Sequence, residues 1–387
     1  MILGKKLVPS KIDINTKNDT ISHTRDTIFV KLYQYVGKPS SMERYINELT
    51  PELSRRMPNA RFIYWTGTRP VSALTTDGHI DCNYYGSSRV AKMFHMAILE
   101  LRLARAVRNE LAKGRRVALF ETQWLASPFF CELTLTSVHD MIPSQSKGLK
   151  GWYYRYVLPW ILKRKHICIS VSRYTQSIIQ RDDIQSKVIY NWVSPQLVKF
   201  GGGREKLHSA SPFLFIGTSA AHKNLERIFL AYLATDINRP LLCIVPSWDV
   251  PRLKERVALL GISAKVSFES ELGDERVAGL YKSAIALISP SRLEGFGMPL
   301  IEAMAFGCPV ICSDIPIYRE VAADAAIFFN ADSTTSLLNA LSEIEKESVR
   351  RDYQHRGSVR KDSFSSEFAV EGYRRHLQQI LDKQSYS

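Results

Sequence analysis

The sequence predicts an α/β protein of two domains, each a parallel sheet covered by helices on both faces. Three observations carry that expectation. At 387 residues the chain is long for one hydrophobic core and suits two of ordinary size. Apolar runs of strand length alternate with helix-like stretches, the pattern of strand–helix–strand units. Lys199 to Ser211, which includes Gly201-Gly202-Gly203, reads as a linker between two such series. Open parallel sheets take ligands at the carboxyl ends of their strands, so the site is expected in the cleft between the domains.

In chain order, the first 25 residues are polar and irregular and read as a loose arm. Thr27 to Val36 is the first expected strand, ending at Gly37-Lys38-Pro39-Ser40-Ser41, and a helix starts near Met42 with Ser40 or Ser41 as its N-cap. Arg61–Thr66 is the next strand. Lys92–Lys113 is helical by its 3.6-residue period, with Arg102, Arg105 and Arg108 on one stripe. Val117–Glu121 and Leu133–Val138 follow as strands, the second ending at His139-Asp140-Met141-Ile142-Pro143. A basic, aromatic helix at about 151–165 leads to a strand at Ile167–Val171, which runs into a helix cap at Ser172. Val188–Trp192 closes the first series. The second has strands at Phe213–Ile216, Leu241–Val245, Val266–Phe268, Ile285–Ile288 and Val310–Cys312. Glu367–Lys383 reads as a last helix with Tyr373, Leu377, Ile380 and Leu381 on one stripe. The expected division is 1–198, 199–365, and a helix at 366–387 that packs back on the first domain.

Composition places the chain among soluble globular proteins. No apolar run is long enough to span a bilayer, and the N-terminus lacks the apolar core of a signal peptide. Six cysteines (Cys82, Cys131, Cys168, Cys243, Cys308, Cys312) lack metal-site or disulfide-framework spacing and read as reduced thiols in a cytoplasm. The net charge of +14 is unevenly placed: residues 1–190 hold 29 Lys and Arg against 15 Asp and Glu, and residues 191–387 hold 23 against 23. The whole excess thus marks the partner of one domain, with an anionic membrane surface, a pyrophosphate-bearing lipid and nucleic acid as the options. No RNP, helix-turn-helix or zinc signature supports nucleic acid. Residues 147–165 combine six cations with five Trp and Tyr rings. That pattern fits an interfacial helix at anionic headgroups and equally a packed helix whose lysines snorkel.

The most informative stretch is Ser289-Pro290-Ser291-Arg292-Leu293-Glu294-Gly295-Phe296-Gly297-Met298-Pro299-Leu300-Ile301-Glu302. It follows an apolar strand, passes through a glycine turn and enters a helix in whose first turn Pro299 fits. Such a unit aims bare N–H groups and a helix N-terminus at an anion. Gly295 and Gly297 permit close approach. Glu294 at the loop mouth and Glu302 two turns along can each accept hydrogen bonds from hydroxyls. Upstream, Lys223 in Gly217-Thr218-Ser219-Ala220-Ala221-His222-Lys223-Asn224 lies at a turn after a strand, where a lysine can neutralise a diphosphate.

This stretch resembles the E-x7-E signature of retaining glycosyltransferases of family 4, strongly over Phe213–Asn330 and more weakly before it. The resemblance implies the GT-B fold, two Rossmann-like domains facing a cleft, and a mannosyltransferase-like hexosyl transfer. It implies that Lys223 binds phosphate, that Glu302 holds the ribose hydroxyls and that Glu294 holds sugar hydroxyls. The amides of Gly295, Phe296, Gly297 and Met298 would face the diphosphate, and the backbone at Ser267–Phe268 would meet the base. His139 matches an active-site histidine that hydrogen-bonds the transferring sugar or its acceptor, with Asp140 orienting the loop or binding acceptor. Gly37 and Arg44 match a first-domain glycine loop loosely, with serines in place of a second glycine. Many relatives carry an arginine about five residues before the lysine, where this chain has Thr218-Ser219, so a second cation is missing or comes from elsewhere.

No Asp-x-Asp occurs in the sequence. No metal and no cofactor are expected, the nucleotide sugar being a substrate. By analogy the donor is GDP-mannose and the acceptor a lipid-linked or polysaccharide glycan, such as O-antigen or exopolysaccharide on a polyprenyl diphosphate. The expected place of work is the inner face of the membrane, as a peripheral protein. A nucleotide-sugar epimerase of the same fold and a basic nucleic-acid-binding protein are the alternatives.

Overall fold

A computed structural model describes residues 26–32, 41–66, 78–81, 89–122, 126–145, 147–234 and 237–384. The first series runs β1 (Asp26–Leu32), α1 (Ser41–Arg56), β2 (Ala60–Thr66), β3 (Gly78–Asp81), α2 (Arg89–Ala112), β4 (Val117–Thr122) and β5 (Thr134–Val138). It continues with α3 (Leu149–Trp152), a π turn (Tyr153–Val157), α4 (Leu158–Leu162), β6 (Ile167–Ser170), α5 (Arg173–Gln180), β7 (Ser186–Val188) and α6 (Pro195–Val198). The second opens with β8 (Phe213–Ile216), α7 (Leu225–Ala234), β9 (Leu241–Ile244), α8 (Val250–Leu259), β10 (Val266–Glu269) and α9 (Asp274–Ser283). Then come β11 (Ala286–Ser289), α10 (Met298–Ala305), β12 (Val310–Ser313), α11 (Pro316–Ala322) and β13 (Ala326–Phe329), followed by α12 (Thr334–Glu345), α13 (Glu347–Arg360) and α14 (Ser366–Lys383).

Two parallel sheets result. The first has the order β3-β2-β1-β4-β5-β6-β7 and the second β10-β9-β8-β11-β12-β13. Residues of β5, β6, β11 and β12 are buried throughout, as strands covered on both faces must be. Strand order reverses between β1 and β4 in one sheet and between β8 and β11 in the other. Each reversal leaves a crevice at the strands' carboxyl ends.

The sequence places most of these elements and misplaces a few. β7 ends at Val188, where the sequence expects a strand to begin. The only buried apolar residue of the expected strand is Trp192, which lies beyond β7. The sequence reading places no strand at β3 or β13. The first strand is described only to Leu32, and 33–36 lie outside the described residues.

On one face of the first sheet, Ala369, Val370, Tyr373, Leu377, Ile380 and Leu381 of α14 share a core with Ile28, Val30, Phe120, Leu135 and Ile169. The Tyr373 hydroxyl lies 2.6 Å from Ser137 Oγ, and Gln384 bonds both the N–H and the carbonyl of Val117 at 2.9 Å. On the other face a row of buried charge crosses the sheet. Glu121 accepts from Lys165 Nζ at 2.5 Å and from Thr136 Oγ1 at 3.0 Å, with Lys31 Nζ 3.8 Å away. Lys165 also donates to Ser127 O at 2.6 Å. One cation of the basic aromatic stretch is therefore an interior group, a correction to its reading as surface charge. The five described cysteines are buried and form no disulfide; Cys82 lies outside the described residues.

Candidate active site

The loops after β8 and β11 meet at the reversal of the second sheet. After β8 the chain leaves through Gly217, whose N–H donates to Ile244 O at 3.1 Å, and tightens into a 3-10 turn at Ala221–Lys223. Asn224 ends that turn at φ 55°, a left-handed geometry that Asn tolerates better than most side chains. Its Nδ2 donates to Pro290 O at 3.0 Å and to Ala331 O at 2.9 Å, and Arg292 N donates to His222 O at 2.7 Å. These bonds tie the β8 loop to the loops after β11 and β13. They bring Lys223 Nζ to 2.6 Å from Glu294 Oε1.

The same Oε1 accepts from Ser291 Oγ at 2.8 Å and from Tyr318 Oη at 3.3 Å. Burial, helped by the charge of Glu294, pushes the Tyr318 hydroxyl well above its ordinary pKa, so it stays protonated and able to donate. Among the described residues, all three donors to Glu294 reach one oxygen, and Oε2 takes none of these bonds. Gly297 is the N-cap of α10 at φ 101°, and a Cβ there would stand 2.7 Å from the Tyr318 ring. Only glycine fits on both counts. Met298 is the first residue of α10 and half-buried.

Glu302 lies farther along α10 and accepts from Tyr281 Oη at 2.9 Å. It is held apart from the Lys223–Glu294 pair by a different partner. Phe268 is half-buried on β10, an edge strand. The ring of Phe296 is buried beside Tyr190 and Phe364, at centroid distances of 6.1 and 5.6 Å, which leaves its backbone, the part the sequence reading invokes, for a ligand.

The first domain supplies the facing wall. His139 follows β5, and its enclosed imidazole has its pKa lowered by burial to about 4, so the ring is neutral at neutral pH. Asp140 Oδ1 accepts from Ile142 N at 3.0 Å, a bond within its own loop. Gly295 touches this wall. A Cβ on it would fall 2.0 Å from His139 O and 2.8 Å from Asp140 Cβ. The glycine expected to let an anion approach here lets the other domain approach.

The carbonyl of Gly295 accepts from Ser172 Oγ at 3.0 Å and from Thr175 Oγ1 at 3.3 Å. Ser172 is the N-cap of α5, as the sequence expects, and its Oγ also accepts from Thr175 N at 3.0 Å. The first turn of α5 is completed from the second domain: Glu320 on α11 accepts from Arg173 N at 2.6 Å and from Tyr174 N at 2.8 Å. Sequence reasoning missed Tyr318, Ser172, Thr175 and Glu320 as neighbours of the site, because they lie 24 to 122 residues from Glu294 with no local pattern joining them. Asn224 carried a signal in its place after Lys223.

Ser219, in the Thr218-Ser219 stretch where the resemblance leads one to expect an arginine, is pinned by Asp249, which accepts from its N–H at 2.9 Å and from its Oγ at 2.5 Å. Arg252 of α8 donates to Ser219 Oγ and, at 3.3 Å, to its carbonyl, which puts a guanidinium beside this loop from another element. Gly37 lies outside the described residues. Arg44 falls on α1, but its side chain is likewise outside them.

The chain is 33% identical over 226 residues to the O-antigen chain mannosyltransferase RfbU of Salmonella typhimurium, 57% of this chain and 62% of that one. It is 29% identical over 160 residues to O-antigen chain mannosyltransferase B of Escherichia coli, 40% of this chain and 42% of that one. The matched region thus spans less than two thirds of either relative. In structure, the chain superposes on a sucrose-phosphate synthase from Thermosynechococcus elongatus with a TM-score of 0.77 at 17% identity, covering 93% of this chain and all of that one. On WaaG, a glycosyltransferase involved in lipopolysaccharide biosynthesis, the TM-score is 0.69 at 16% identity, over 90% of this chain and 99% of that one. Those likenesses establish the fold, GT-B. Residues 206–359, which carry Lys223, Glu294 and Glu302, match the family described as glycosyl transferases group 1.

Proposed function

We propose that the chain is a glycosyltransferase that moves a hexose from a nucleoside diphosphate sugar to a glycan acceptor with retention of configuration. The observation that carries this reading is the Lys223–Glu294 pair, 2.6 Å apart where strand order reverses, beside the N-terminus of α10. An ammonium and a helix N-terminus together suit a diphosphate whose charge grows as it leaves. Because Oε1 of Glu294 is already held by three donors, its carboxylate is fixed in place and Oε2 is left for sugar hydroxyls. Glu302 would take the ribose hydroxyls, the backbone at Phe268 the base, and the backbone from Gly295 to Met298 the phosphates.

Departure of the nucleoside diphosphate leaves an oxocarbenium-like sugar. The acceptor hydroxyl enters on the face the phosphate vacates, and that phosphate takes its proton. No protein nucleophile is needed. His139, neutral at neutral pH, is suited to hydrogen-bonding the sugar or the acceptor and not to donating charge. Lys223 and the α10 dipole take the place of a metal ion in this scheme.

The named activities of the relatives support mannose as the sugar and an O-antigen-type glycan as product; GDP-mannose as the donor rests on analogy alone. A polyprenyl-diphosphate-linked acceptor suits the basic first half and places the work at the inner face of the membrane. Among the described residues no helix is long and apolar enough to cross a bilayer.

The test is to screen the purified chain against a panel of nucleotide sugars by thermal stabilisation, then measure transfer by the best one. GDP-mannose is expected to raise the melting temperature most. The variant Glu294→Ala should stay folded and lose transfer by roughly 10²-fold or more. Near-normal turnover in that variant, or indifference to every nucleotide sugar, would reject the reading.

A further inference from the structure

Leu149 to Leu162 forms one helical rod in which α3 and α4 flank the π turn. Its inner stripe, Tyr154, Leu158, Ile161 and Leu162, is buried with Ala126, Val138, Met141 and Ile179. The outer stripe is Leu149, Trp152, Tyr156 and Trp160, with 79, 53, 61 and 51% of their surfaces exposed. In a straight α-helix each step of four residues advances about 40° around the axis, so 152, 156 and 160 would drift off one line. The wider π turn takes back part of that advance and keeps the rings in a row.

Cations rim this row. The Arg164 guanidinium lies 3.6 Å from the Trp160 ring centroid and that of Arg155 5.9 Å from the Tyr156 centroid. Lys147 and Lys163 are exposed beside them. From Lys147 to Lys165 the sequence contains no Asp or Glu. Lys165 turns inward to Glu121, and among the described residues the outer cations have only Asp183 as an acid partner, 3.6 Å from Lys163, an exposed pair of little strength.

We infer that this ridge is a docking surface for an anionic bilayer, with the indole and phenol rings at headgroup depth and the cations on lipid phosphates. Exposed aromatic rows of this kind are rare without a cover, and a rim of one charge sign is complementary to anionic lipid. The inference deepens the membrane placement proposed above and does not depend on the transfer chemistry. It also has a consequence for the site. Met141, two residues after His139, packs on the inner stripe of the same rod, so the docked ridge holds the His139 loop close to the lipid surface.

The test uses the whole chain, with vesicles of phosphatidylcholine alone or mixed with phosphatidylglycerol and free of any glycolipid. The chain is expected to sediment with the mixed vesicles only, with a blue shift of tryptophan fluorescence. The double variant Trp152→Ser/Trp160→Ser and the charge reversal Lys163→Glu/Arg164→Glu should each lose roughly tenfold or more in vesicle affinity. Both should keep the wild-type melting temperature and its shift with nucleotide sugar. Equal sedimentation with both vesicle types, or unchanged affinity in both variants, overturns the inference and leaves the transferase reading standing. So does a ridge that proves to join two copies, seen as a wild-type dimer that the double variant converts to monomer. Salt-sensitive DNA retention that depends on the ridge, with vesicle binding that does not, overturns it as well.

Discussion

The two walls of the cleft are built by different means. The wall from the second domain is made of side chains: Lys223, Ser291 and Tyr318 converge on one oxygen of Glu294, and Asn224 binds the loops that carry them. The wall from the first domain presents mostly backbone and caps. The carbonyl of His139 meets Gly295, Ser172 and Thr175 hold the Gly295 carbonyl, and Glu320 reaches across to finish the first turn of α5. A side-chain wall sets the chemistry of what binds. A backbone wall sets how closely the domains approach, and can do so with many different side chains.

That contrast can be broken experimentally, and the largest effect is expected at its seam. Gly295→Ala puts a methyl group 2.0 Å from a backbone oxygen that no rotamer can move away. The domains must separate, and a displacement near 1 Å costs roughly 10²-fold in rate. Transfer assays with small-angle scattering should show the loss together with a more open shape. A closed, active variant would mean that the seam is not what aligns the walls.

A smaller effect is expected inside the side-chain wall. Tyr318→Phe removes a hydroxyl shared by Ser289 and Glu294, leaving Ser289 Oγ buried with a lost partner. About 1–3 kcal/mol of stability should go with it, read by denaturant unfolding. If stability is unchanged but donor affinity falls, Tyr318 serves the ligand more than the fold.

On the backbone wall, Glu320→Ala frees two N–H groups of α5. The expected cost is about 1 kcal/mol, the worth of a helix cap, with a weaker grip between the domains seen as faster proteolysis of the linker around 199–211. A variant as protease-resistant as wild type would show that the seam closes without this cap.

The mildest prediction concerns pH. His139 binds its proton more weakly folded than unfolded, so its contribution to stability is fully present above its ordinary value of 6.5 and is lost as pH falls toward about 4. His139→Gln should therefore lose less stability than wild type across that interval. Parallel curves for the two proteins would mean the ring is not enclosed in solution.

The side-chain wall was largely legible in the sequence. Glu294, Gly297 and Lys223 belong to local patterns, strand then glycine turn then helix, whose spacing alone brings them to a strand's end. The backbone wall was not. Ser172 was visible as a cap, but nothing in its neighbourhood names Gly295 as its partner. Glu320 looks like any acidic residue on a short helix. Lys165 looked like a surface cation because it ends a run of three, and is instead buried by the Glu121 carboxylate that neutralises it. Burial of a charge depends on a partner 44 residues away, which no periodicity records.

Local order along the chain thus determined the class of fold, most of its strands, and the turns that bring Lys223, Glu294 and Gly297 to strand ends. These follow from hydrophobic period, turn chemistry and charge, all of which act over a few residues. Only the tertiary structure decided that Gly295 serves the contact between domains, that Glu294 offers one oxygen and spends the other, and that Trp152, Tyr156 and Trp160 stay outside while Tyr154 goes in. Those outcomes depend on which surfaces meet across the cleft and across the helical rod. Contacts between distant segments are chosen by packing of the whole molecule, where the cost of a misplaced atom or an unpaired charge exceeds any local preference.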